Sequence, residues 1–207
     1  MAAHCHQRLE ARGWTDDLET TRHTSVDLAR KALRISPDDP DVLALVAFIL
    51  GYFGEDIDVA LGLIDGCLAL NPSSAVGWHW SGVLRLFAGQ PDLALEHLET
   101  GLRLSPRDTR LANYLNAFGE AHFFNRRFDE AAANLLASLE RAPSFPVTYR
   151  ILAASYAHMG RLDEAREIIR RLRVITPAVM ERGMRYRNPE LRELFLSGLR
   201  SAAGKET

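Results

Sequence analysis

SSAVGWHWSGVLRLFAGQPDLALEHLETGLRLSP, residues 73–106, reads as two helices and the turn between them. Its first half places Trp78, Gly82 and Arg85 on one helical stripe, with Val83 and Leu86 beside it. Gly89-Gln90-Pro91-Asp92 then breaks the pattern, and Pro91 suits the first position of a new helix, where a missing N–H costs nothing. The second half carries Leu93, Ala94, Leu95, Leu98, Leu102 and Leu104, again at helical spacing. Ser105-Pro106 ends it, because proline disfavours helical geometry in the residue before it. The unit is an antiparallel helix pair.

The same grammar recurs on both sides of this unit. Pro37, Pro72, Pro106, Pro143 and Pro177 close the strings LRISP, LALNP, LRLSP, LERAP and RVITP, at steps of 35, 34, 37 and 34 residues. Gly82 lines up with Ala47, Gly119 and Ala153, where the first helix must lie close to its neighbour. Ala94 lines up with Ala60, Ala131 and Ala165, and the larger residue four positions later is Ile64, Leu98, Leu135 or Ile169. Small against large at fixed offsets is what interdigitating helices require. The turns read GEDIDVA, GQPDLA, NRRFDEA and GRLDEA, with a carboxylate near the start of the second helix to offset its dipole. Over residues 41–177 this resembles the tetratricopeptide repeat family, whose period is about 34 residues. The resemblance implies an all-α fold, a right-handed superhelical solenoid of antiparallel helix pairs built for binding.

Departures from the period set the expected boundaries. Residues 1–37 read as a degenerate repeat: a short helix through Arg12, a long polar turn GWTDDLETT, and a helix closing at Pro37. Four repeats follow, 38–72, 73–106, 107–143 and 144–177. The first carries one extra residue in its turn. The third gains three residues before Tyr114, expected as added length at the start of its first helix. In 178–207, Asn188-Pro189-Glu190 looks like a helix start, with Leu191, Leu194, Phe195 and Leu199 as the apolar stripe of a capping helix before a tail.

With 207 residues, 47% of them hydrophobic, the chain carries enough apolar surface for a continuous core. A formal net charge of −2 offers no basic field, so neither nucleic acid nor an anionic membrane is expected as a partner. Cys5 and Cys67, far apart, do not make a disulfide framework. The N-terminus lacks an apolar signal core, and the longest apolar stretch, Val42 to Gly54, is too short to span a bilayer. A soluble cytoplasmic protein is expected.

No residue set for catalysis, cofactor or metal emerges, so the chain is not expected to be an enzyme. His4 and His6 of His4-Cys5-His6 diverge on a helix. Cys67 stands where the repeat needs a small packed residue. Gly62, Gly66, Gly77 and Gly82 lack the strand-then-helix setting of a nucleotide fingerprint. Asp16-Asp17, Asp38-Asp39, Asp129-Glu130 and Asp163-Glu164 lie at helix starts. Arg170, Arg171 and Arg173, with Arg182, Arg185 and Arg187 nearby, are interleaved with acids and read as a solvated face. An unfamiliar site among His79, His122 and His158 is the remaining enzyme alternative, with no convergent acid or nucleophile to support it.

In tetratricopeptide arrays the first helices line a concave groove. The resemblance therefore implies a partner-binding groove at Tyr52, His79, Val83, Asn113, Asn116, Glu120, Phe124, Arg150 and His158, with Phe48, Phe87 and Ala154 alongside. Phe48, Phe87 and Phe124 are read first as inter-repeat packing. A carboxylate clamp of the cochaperone type is not expected, since the only lysines are Lys31 and Lys205. The strings LIDGCLALNPSSAVGWHWSG, HLETGLRLSPRD, SYAHMGRLDEA and YRNPELRELFLSGLRSAAG also resemble the C-terminal repeat region of bacterial class III adenylate or guanylate cyclases. That family's catalytic domain is absent here, so no catalytic residue carries over. The expected function is a non-catalytic module binding a protein or peptide segment in its groove. The alternative is a regulatory region of nucleotide cyclase signalling, in cis or in trans. A homodimer stays open, because an uncapped first repeat would expose apolar surface.

Overall fold

The structure, a computed structural model, describes residues 2–11, 17–179 and 186–204. The chain forms two compact units, Met1–Pro106 and Arg107–Thr207. The first holds α1 (Ala2–Ala11), α2 (Leu18–Ile35), α3 (Pro40–Tyr52), α4 (Ile57–Leu70), α5 (Ala75–Phe87) and α6 (Pro91–Leu104). The second holds α7 (Leu111–Phe124), α8 (Phe128–Arg141), α9 (Pro146–His158), α10 (Leu162–Ile175) and α11 (Pro189–Ala203). Among the described residues there is no strand.

Local chemistry sets the helix ends. Pro40, Pro91, Pro146 and Pro189 occupy first positions. Side chains of Asp39, Asp56, Ser74 and Asn188 accept hydrogen bonds from N–H groups of the first turns, which have no partner within the helix. At the other end, the residue before each periodic proline (Ser36, Asn71, Ser105, Ala142, Thr176) has left the helix, with φ between −136° and −151°. Its N–H still reaches the carbonyl four residues back.

The turns inside the pairs α3–α4, α5–α6, α7–α8 and α9–α10 repeat one pair of backbone bonds. Gly54, Gly89 and Gly160 adopt positive φ, and their N–H groups donate three residues back, to Gly51, Leu86 and Ala157. The following N–H groups donate five residues back, to Leu50, Arg85 and Tyr156. In the α7–α8 turn Arg126 fills the glycine role at φ 57° and makes the same bonds to Phe123 and His122.

Packing follows the small-against-large offsets. A Cβ on Gly82 would lie 2.6 Å from Cγ of Leu98, and one on Gly119 would lie 2.5 Å from Cγ of Leu135. Ala60, Ala94, Ala131 and Ala165 are buried, as are Ile64, Leu98, Leu135 and Ile169. Two repeats share a further bond: Trp78 Nε1 donates to the Pro72 carbonyl and the Tyr149 hydroxyl to the Pro143 carbonyl, both at 2.8 Å. Each ties the first helix to the proline closing the preceding pair. Buried Cys67 on α4 meets α5 at Gly77, where a Cβ would lie 3.0 Å from its Sγ.

Two expectations need correction. The three residues gained before Tyr114 do not lengthen a helix; residues 107–110 form a turn, in which Asp108 Oδ1 accepts from both the Arg110 backbone N–H at 2.8 Å and Nε at 2.9 Å. The polar stretch GWTDDLETT is not a turn throughout, because Leu18 begins α2. Asp17 caps that helix by accepting from the Thr20 N–H at 2.9 Å. The rest of that stretch, Arg182, Arg185 and the tail from Lys205 lie outside the described residues.

Candidate protein-interaction faces

In the first unit the positions expected in the groove lie in an aromatic cluster. Phe48 on α3 stacks on Trp80 of α5 with ring centroids 3.8 Å apart, and Tyr52 lies 5.7 Å from Phe48. His4 of α1 meets Phe48 and Trp80 edge-on, at 6.1 and 6.2 Å. Tyr52, Phe87 and His79 are buried, His79 tilted against Trp80 at 4.7 Å, while Val83 is half-buried. Sequence reasoning missed Trp80 and His4. Trp80 was recoverable, since it lies three residues before Val83 on one helix. His4 carried no signal, because it sits in the degenerate repeat.

In the second unit the expected groove residues Glu120, Phe124, Arg150 and His158 lie against the chain's own C-terminal segment. Arg150 of α9, 6% exposed, donates from Nε to the Val179 carbonyl at 3.0 Å and from a terminal nitrogen to the Ala178 carbonyl at 2.8 Å. Glu120 of α7, also 6% exposed, accepts from the Tyr186 hydroxyl at 2.9 Å. The Tyr186 ring meets Phe124 edge-on at 4.7 Å. His158 stacks on Phe128 at 5.0 Å, and its Nε2 donates to the Leu194 carbonyl of α11 at 2.8 Å. Gly198 passes so close that a Cβ there would lie 2.7 Å from His158 Nε2 and 3.0 Å from Cβ of Ala154. Buried Phe195 lies across Phe123 and Tyr186.

Asn116 and Asn113 differ. Asn116 is buried and its Oδ1 accepts from the Thr148 hydroxyl at 2.8 Å, so it joins α7 to α9. Asn113 is half-buried near the start of α7.

The titratable groups point to packing and hydrogen bonding. Burial holds the His97 imidazole below its ordinary pKa, helped by Arg85; its Nδ1 lies 2.8 Å from the Ser81 hydroxyl. Burial pushes Tyr114 up to about 12 and raises the Cys67 thiol. Cys5 is exposed. The basic stretch is interleaved, Arg170 pairing with Glu167 at 2.5 Å and Arg171 lying over the Tyr149 ring at 5.7 Å. Among the described residues no group of three or more His, Cys, Asp or Glu is arranged to hold a metal ion. No helix among them is long and apolar enough to cross a membrane.

Residues 116–179, which include α8, α9 and α10, match the family model of the tetratricopeptide repeat. Superkiller complex protein 3 of Mus musculus is 26% identical over 151 residues, 72% of this chain; the chain spans only 9% of that relative's length. Among solved structures, a thermophilic tetratricopeptide protein of Thermus thermophilus superposes with a TM-score of 0.65 at 23% identity, covering 95% of this chain and 98% of that one. YrrB, described as a tetratricopeptide protein with an unusual peptide-binding site, gives a TM-score of 0.53 at 20% identity, covering 86% of this chain and 92% of its own. The fold class is that of tetratricopeptide solenoids.

Proposed function

We propose that this chain is a non-catalytic protein-interaction module that holds a protein or peptide segment against its first helices. The observation that carries the reading is Arg150. A guanidinium on a first helix donates to two successive main-chain carbonyls, at 3.0 and 2.8 Å, a contact that any extended peptide can satisfy. The aromatic face of Phe48, Tyr52 and Trp80 supplies apolar contact of the kind interfaces favour. The peptide-binding site named for YrrB is consistent with such a role. The test is photocrosslinking from the full chain, with the crosslinker placed at half-buried Val83 or Asn113 and, as controls, at exposed Glu99 or Glu140 on second helices. Adducts confined to Val83 and Asn113 are expected. Adducts from the second-helix positions alone would overturn the assignment.

A second reading rests on the strings that resemble cyclase repeat regions, among them YRNPELRELFLSGLRSAAG. Here the module would regulate a nucleotide cyclase in cis or in trans. Cellular cyclic-nucleotide levels that do not change when the gene is removed would rule this out.

A further inference from the structure

The groove-facing side chains of α7 and α9 already hold a peptide, and it is part of this chain. Ala178 and Val179 present carbonyls to Arg150, Tyr186 presents a hydroxyl to Glu120, and α11 lays Leu194 and Gly198 on His158. A helix that only sealed an apolar end would bury apolar side chains. α11 does bury Leu194, Phe195 and Leu199 in that way, but the residues before it also cover a guanidinium and a carboxylate, which is unfavourable unless specific partners satisfy them. Those partners are selective: successive carbonyls at a tight turn in which the Val179 N–H donates to the Pro177 carbonyl, a hydroxyl about seven residues later, then a helix with no side chain where it crosses His158. Apolar burial is added by Phe195 and Leu199.

We propose that the described parts of the C-terminal segment, Ala178–Val179 and Tyr186–Ala203, are an intramolecular ligand that reversibly occupies the interaction face of the second unit. An outside segment reaches Arg150 and Glu120 only when this one leaves. The competing partner is therefore a peptide of the same pattern: a tight turn presenting two successive carbonyls, then a hydroxyl or N–H donor for Glu120, then a helix with a small residue at the His158 crossing. The inference rests on the interaction-face reading only in taking these side chains as ligand-binding; it needs no outside partner.

Hydrogen exchange on the full chain tests it directly. Amides of α11 are expected to exchange at least tenfold faster than those of α9, through an opening that leaves α9 folded. Equal rates set by one common opening would make α11 a permanent part of the unit and overturn the proposal. A second arm titrates a fluorescein-labelled peptide of residues 176–204 into the full chain and its Gly198→Val variant, followed by anisotropy. The variant side chain must collide with His158 and Ala154, so binding at least tenfold tighter than to the unsubstituted chain is expected. Equal affinity, or no binding to the folded variant, would overturn the proposal. Should the variant fail to fold, exchange decides alone. Failure of the broader reading shows up separately, in the crosslinking pattern with an outside partner.

Discussion

The Tyr186 hydroxyl and the Glu120 carboxylate, 66 residues apart in sequence, meet at 2.9 Å in a buried contact. A hydrogen bond to a charged acceptor contributes about 1.5–3 kcal/mol when it is removed from water. Tyr186→Phe keeps the ring on Phe124 and removes the hydroxyl that makes this bond. Urea unfolding should show a loss of about 1–2 kcal/mol. Glu120→Gln, which removes the buried charge but keeps an acceptor, should lose less.

Glycine-to-alanine changes should have opposite signs at two kinds of site. Gly62 of α4 is exposed with nothing within 4 Å of an added Cβ, so Gly62→Ala should stabilise by about 0.5–1 kcal/mol. Gly119→Ala drives a methyl to 2.5 Å from Leu135 and should destabilise by about 1–3 kcal/mol despite the same helix-propensity gain. A double-mutant cycle with Leu135→Ala isolates the clash as a coupling of about 1 kcal/mol or more. Matching signs at Gly62 and Gly119 would refute the close-approach account.

Gly82 and Gly119 were legible in the sequence because a close approach recurs at a fixed offset, and the prolines were legible because they act on their immediate neighbour. The occupancy of the second unit's face was not. Tyr186 finds Glu120 across 66 residues, and no periodicity says on which side of α9 the terminal helix lies. Asn116 and Arg150 were correctly marked as polar residues on first helices. Their partners, Thr148 on the neighbouring helix and carbonyls 28 and 29 residues away, depend on packing that spacing does not encode. Arg126 was hidden for another reason: its turn aligned with the others through NRRFDEA, and its positive φ is a property of the backbone.

Arg126 carries a left-handed conformation that its Cβ resists by about 1–2 kcal/mol. Its side chain is exposed, so little packing would be lost on truncation. Arg126→Gly should therefore raise stability by about 0.5–1 kcal/mol, part of the relief being offset by backbone entropy. Gly160→Ala, at φ 76° with open space around it, should lower stability by about 1–2 kcal/mol. Thermal unfolding of the two variants checks both signs.

The two thiols should separate by burial. Cys5 is exposed and Cys67 is buried, its pKa raised by burial and then by the nearby Asp41 carboxylate. A thiol must ionise to attack a disulfide reagent, so burial suppresses both access and thiolate. One equivalent should react promptly in the native chain and the second only in denaturant. Two fast equivalents would contradict the packing of α4 against α5.

His97 makes the first unit's stability fall towards acid pH. Its imidazole lies against Ser81 and Trp78, with Arg85 on α5, Asp65 on α4 and Glu96 on its own helix facing it. Burial first, then the Arg85 charge, lowers its pKa; the two carboxylates act in the opposite direction without reversing it. Protonation is thus harder in the folded chain than in the unfolded one, where the pKa is about 6.5. The stability this confers is complete above that unfolded value and is lost as pH falls from it through the lower folded pKa. Denaturation midpoints should decline from pH 7 to pH 5, and His97→Gln should flatten that slope, whatever it does to the midpoint at pH 7. An unchanged slope in the variant would assign the acid sensitivity to other groups.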